Sequence, residues 1–129
     1  MKITNKDLIR VAQGLEHLSS EHTVAWYCVN KNKRKVKPFI DEFEQSRRDV
    51  MDKMAERNED GSIKTKVDNG VEVLDISDPI KAKEIEDALL AIAEEEVEIE
   101  FHVQPVSVIV NESHLPQYIE PLIGTVFID

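Results

Sequence analysis

Few side chains in this sequence are suited to chemistry, and their spacing limits what they can do. The histidines are His17, His22, His102 and His114. No two of them stand at i and i+4, and neither HExxH nor CxxC occurs, whereas a zinc site needs three or four convergent ligands. The expectation is no metal site. Cys28 is the sole cysteine. A thiol attacks only when its pKa is lowered, and the neighbours Tyr27 and Val29 suggest a packed helical position, so Cys28 is expected to be inert. Gly14, Gly61, Gly70 and Gly124 are the only glycines and form no phosphate-cradling loop. These absences point to a protein that is not an enzyme and needs no cofactor.

Charge is the sharper feature. Lys31, Lys33, Arg34, Lys35 and Lys37 crowd into seven positions. On a helix Lys31, Arg34 and Lys35 share one side, and Lys33 and Lys37 form an i,i+4 pair of like charge. Such a cluster gains from an anion, so these five are the candidate anion-binding residues. The anion could be the acidic half of the same chain, a neighbouring subunit, a nucleotide or a nucleic acid. Residues 1–58 carry a net +3 and residues 59–129 a net −13, within a total of −10. That total opposes approach to a polyanion, which makes duplex DNA the weakest candidate. The acidic run Glu94, Glu95, Glu96, Glu98 and Glu100 reads as a helix end followed by the wet face of a strand.

The elements that position these residues follow from periodicity. Thr4 with Asp7 forms a helix start, and Leu8, Val11, Leu15 and Leu18 follow as one apolar stripe. A second helical region begins near Glu21, and Pro38 is expected to kink or restart it. Val36, Ile40, Phe43, Val50 and Met54 then recur in a heptad rhythm broken by Arg47, which marks them as a candidate interface between copies of the chain. Asn58-Glu59-Asp60-Gly61 reads as a turn. Alternating residues on both sides of Asn69-Gly70 specify a β-hairpin. Asp78 and Pro79 start another helix, carrying Ala82, Ile85, Leu89 and Ile92. Val97 to Gln104 alternates as a half-buried strand. Val106 to Val110 suggests a second strand, and Leu115 to Ile123 a short helix, with an apolar tail that docks.

The expected fold class is α+β: a long antiparallel helical hairpin with a β-hairpin tip, a small antiparallel sheet and a short C-terminal helix. At 129 residues the chain suggests one domain, 1–129. Aromatic residues make up 5%, so the core should rest on Val, Ile and Leu. One cysteine and a polar N-terminus suit the cytoplasm, and no apolar run is long enough for a membrane.

The opening Met1-Lys2-Ile3-Thr4-Asn5-Lys6-Asp7-Leu8 resembles the start of many small proteins encoded by tailed phages and prophages. The Lys-rich helix, the Glu59-Asp60-Gly61 turn, the helix after it and the strand Val97-Glu98-Ile99-Glu100 extend the resemblance over residues 1–104. The segment after Pro105 departs from that pattern. The resemblance implies a phage protein in the host cytoplasm and carries no catalytic residues. The expected function is a non-catalytic, homo-oligomeric binding protein that inhibits or sequesters a host (defence) protein or a small anionic signal molecule. The alternative is an accessory protein of virion or tail assembly.

Overall fold

A computed structural model describes residues 1–18, 23–109 and 116–129. Its elements run β1 (Lys2–Thr4), α1 (Asn5–His17), α2 (Thr23–Met54), β2 (Thr65–Asp68), β3 (Val71–Leu74), α3 (Pro79–Glu94), β4 (Glu96–Glu98), β5 (Gln104–Pro105), α4 (Pro116–Ile119) and β6 (Phe127–Ile128), with 3-10 turns at 106–108 and 120–122. The class is α+β. Length suggests one domain, but the chain gathers into two compact units, 1–42 with 94–129 and 43–93.

The first unit has the larger core. The α1 stripe buries Leu8, Val11, Leu15 and Leu18, and α2 adds Ala25, Cys28, Val29 and Val36. Ile99, Phe101, Ile109, Leu122, Val126 and Phe127 complete it. Thr4 caps α1 by accepting from the Asp7 amide at 3.3 Å. The chain just before that cap forms β1, which pairs antiparallel with β4 in the register Lys2↔Glu98, Ile3↔Val97 and Thr4↔Glu96. The apolar tail docks as expected: β6 pairs parallel with β5, and Phe127 is fully buried.

Three local expectations give way. Pro38 lies inside the unbroken helix α2. It can donate nothing to the Arg34 carbonyl, but both residues are exposed, so water can satisfy that group. The strand expected over 97–104 stops at Glu98 and resumes only at Gln104. Val106–Val108 winds into a 3-10 turn, closed by the Ile109 amide on the Val106 carbonyl at 3.1 Å. Of the C-terminal helix, Leu115 lies outside the described residues, as do Val110, His22 and His114. The remainder is α4 and the turn after it, packed on α1.

In the second unit, β2 and β3 form the expected hairpin, with Asp68 opposite Val71. Asn69 and Gly70 have φ of 52° and 79°, the left-handed pair that a tight hairpin needs. The Asp78 carboxylate accepts from the Ile80 amide at 2.9 Å and starts α3. Ahead of it the Glu56 carboxylate accepts from the Ser77 amide at 3.1 Å and from its hydroxyl at 2.7 Å. Those two bonds hold the Glu56 carboxyl below its ordinary pKa.

Candidate functional site

Helix α2 presents the basic cluster, and the fold treats its members differently. Lys33 pairs with Glu16 of α1 at 3.5 Å. Lys37 pairs with Asp41, one turn on, at 2.7 Å. Lys35 donates to the Glu100 carbonyl at 3.0 Å. Lys31 lies 5.7 Å from the centre of the Tyr27 ring. Arg34 is exposed and has no ion pair among the described residues. The five cations therefore do not converge on one point. Nor do they pair with the acidic run as carboxylates: Glu94 pairs with Lys6 at 3.9 Å and Glu98 with the Met1 amino group at 2.7 Å.

The buried side of the same helix holds a polar seam. Asn32 is fully buried. Its amide donates to the carbonyls of Cys28 at 2.8 Å and His102 at 2.7 Å. Its side-chain oxygen accepts from the His102 amide at 2.9 Å. One side chain thus satisfies both backbone groups of His102. The Cys28 thiol also donates to the His102 carbonyl, at 3.3 Å. Burial pushes the Cys28 pKa up, and the hydrogen bond with Asn32 only partly offsets this. A thiol so held is a poor nucleophile. The His102 ring meets Tyr27 edge-on with centroids 5.5 Å apart, and its Nε2 lies 3.2 Å from the Gln104 amide.

Two aromatic residues escaped the sequence reading. Trp26 is 60% exposed and Tyr27 48% exposed, although aromatic side chains usually bury. Trp26, Asn30, Lys33 and Lys37 recur at spacings of four, three and four on the outer side of α2. Tyr27, Lys31 and Arg34 form the adjoining row. The signal was present in the sequence: the core stripe of α2 is Ala25, Cys28, Val29, Asn32 and Val36, and Trp26 falls away from it on a helical projection. The site is a convex helical face with aromatics at its start and cations behind them.

The heptad stripe behaves otherwise. Val36 lies in the core of the first unit with Ile40 half-buried against it, and Phe43 is buried. Val50 and Met54 are half-buried. None of the five is exposed in the single chain, so the stripe is largely covered before a second copy could reach it.

One cavity of about 380 Å³ opens beside β1 and α1. It is lined by Lys2 and Arg10 but also by Asp7, Glu96 and Glu120, a mixed set with no preference for an anion. Among the described residues, no three His, Cys, Asp or Glu side chains are grouped to hold a metal ion, and no helix is long and apolar enough to cross a membrane. No protein-family model matches the chain, and no curated protein or solved structure matches it.

Proposed function

We propose that this chain is a non-catalytic binding protein that docks an acidic surface of another protein on the outer face of α2, and that it acts by occupancy. In the setting its sequence resembles, a phage-infected cell, that protein would belong to the host. The observation that carries this reading is the exposure of Trp26 and Tyr27 at the head of the Lys33, Arg34 and Lys37 array. Exposed aromatic and Arg side chains are what binding hot spots are made from. Exposed ion pairs such as Lys37–Asp41 contribute only about 0–1 kcal/mol, so a partner carboxylate can replace them. The convex face favours a macromolecule over a small signal molecule, which needs a concave site to lose its water. The net charge of −10 does not forbid an acidic partner, because charges beyond about 8 Å are screened at physiological salt.

Trp26 is the only tryptophan, so its fluorescence reports on the site directly. Polyglutamate at physiological ionic strength is expected to shift Trp26 emission, and salt well above it to reverse the shift. The Lys33→Glu/Arg34→Glu/Lys37→Glu variant is expected to lose the response while keeping its circular dichroism. An unchanged emission, or an equal response from the variant, would count against the reading. A stronger response to oligo-dT than to polyglutamate would replace it with single-stranded nucleic acid binding.

A further inference from the structure

The cations of the α2 face are held in different ways. Lys35 is tied to the main chain, at the Glu100 carbonyl. Arg34 has no ion pair among the described residues. Lys33 and Lys37 meet side-chain carboxylates, those of Glu16 on α1 and Asp41 on α2. Both carboxylates are open to water, with side chains 67% and 58% exposed. A carboxylate brought by another molecule can therefore take their places like for like. Until it does, the charges of Glu16 and Asp41 offset those of Lys33 and Lys37, and the array is less cationic than its sequence implies.

We propose that Glu16 and Asp41 are built-in competitors for the α2 face: they stand on Lys33 and Lys37 in place of a partner's carboxylates, and an acidic partner must displace both. The inference rests on the reading of α2 given above and adds its regulation. Lys37 and Asp41 alone would pass for an ordinary i,i+4 helix pair. Lys33 and Glu16 would not, because they sit on two different helices, and Glu16 brings α1 to the edge of the docking face. Each exposed pair is weak enough to give way, yet each subtracts something from the affinity of a ligand that needs its lysine. A ligand held by charge alone therefore stays weak. One that also covers Trp26 and Tyr27 regains the loss by burying apolar surface. The partner that fits is an acidic protein surface with an apolar patch beside its carboxylates.

The test is titration of the full chain with polyglutamate at physiological ionic strength, read by Trp26 emission. Glu16→Gln and Asp41→Asn are each expected to bind about two- to fivefold more tightly than the wild type, the size of an exposed ion pair. The double variant should gain more than either. Glu59→Gln/Asp68→Asn, in the second unit, makes the same change in net charge and is expected to gain nothing. Carboxyl NMR supplies a second measurement: saturating polyglutamate should move the Glu16 signal of the wild type. A glutamate–tyrosine copolymer should bind the wild type more tightly than polyglutamate does. Variants that bind no better than the wild type, a control that gains as much as they do, an unmoved Glu16 signal, or a copolymer that binds no tighter would overturn the proposal. A wild type that responds while the variants match it sinks this inference alone. A wild type with no response sinks it together with the reading of the α2 face.

Discussion

Asn32 does for His102 what a neighbouring strand would do. A primary amide has the same donor and acceptor as a peptide group, and here it meets the His102 amide and carbonyl together. Lys35 takes the Glu100 carbonyl in a similar way. This explains why the alternation from Val97 to Gln104 did not yield one strand. The pattern of exposure was legible: Glu98 and Glu100 face water, and Ile99 and Phe101 are buried. The hydrogen-bond partners were not legible, because they are side chains from a helix some seventy positions earlier. Asn32→Ala is expected to leave the His102 amide unpaired and its carbonyl with the weak Cys28 thiol donor alone. A buried polar group left without a partner costs about 1–3 kcal/mol, so a loss of about 1–3 kcal/mol in denaturant unfolding is expected. A loss under 0.5 kcal/mol, about the size of an ordinary surface substitution, would show that water replaces the amide freely.

At the scale of elements, α1 and α4 meet at Gly14. A Cβ at that position would collide with the Tyr118 carbonyl oxygen and press on the Leu122 side chain at 3.1 Å. One turn on, the His17 and Tyr118 rings stack with centroids 4.0 Å apart. Gly14→Ala should favour an isolated helix by about 1 kcal/mol. In this protein it is expected instead to destabilise by about 1–3 kcal/mol, because α4 must shift away from α1. Thermal melting checks the sign. Where local chemistry decides, elements were legible: Thr4 and Asp78 cap α1 and α3, and Asn69-Gly70 turns the hairpin. The closeness of α1 and α4 was not, since it depends on a missing side chain meeting a backbone far along the chain. The heptad stripe stays open to two readings for a related reason. Its period correctly marks an apolar side of α2, but a period does not say whether the same chain or another one covers it.

For the whole molecule, the two units should differ in how readily they open. Among the described residues the first closes around fifteen buried apolar side chains, whereas the second has three. Local opening follows buried apolar contact. Amides of α3 and of β2–β3 are therefore expected to exchange faster than those of α1 and of 25–36, at concentrations where the chain is monomeric. Acid should widen the gap. The Glu56 carboxyl has its pKa lowered by Ser77, so its support for the start of α3 is present above the ordinary value of 4.5 and fades as pH falls through the lowered one. Exchange in α3 should accelerate in that range before exchange in α1 does. Equal rates in both units at neutral pH would show that they unfold together.

The hydrogen-bonded thiol of Cys28 has a practical use. It is the chain's only cysteine, it is buried, and it lies against the backbone of residue 102. A thiol-reactive dye can reach it only when that seam parts. The native protein is therefore free of competing thiols: a cysteine placed on the α2 face or at the hairpin tip will take a label alone. Left unaltered, the same sulfur acts as a stopwatch. Its rate of trapping, compared with that of a free thiol, counts how often α2 releases the segment around His102.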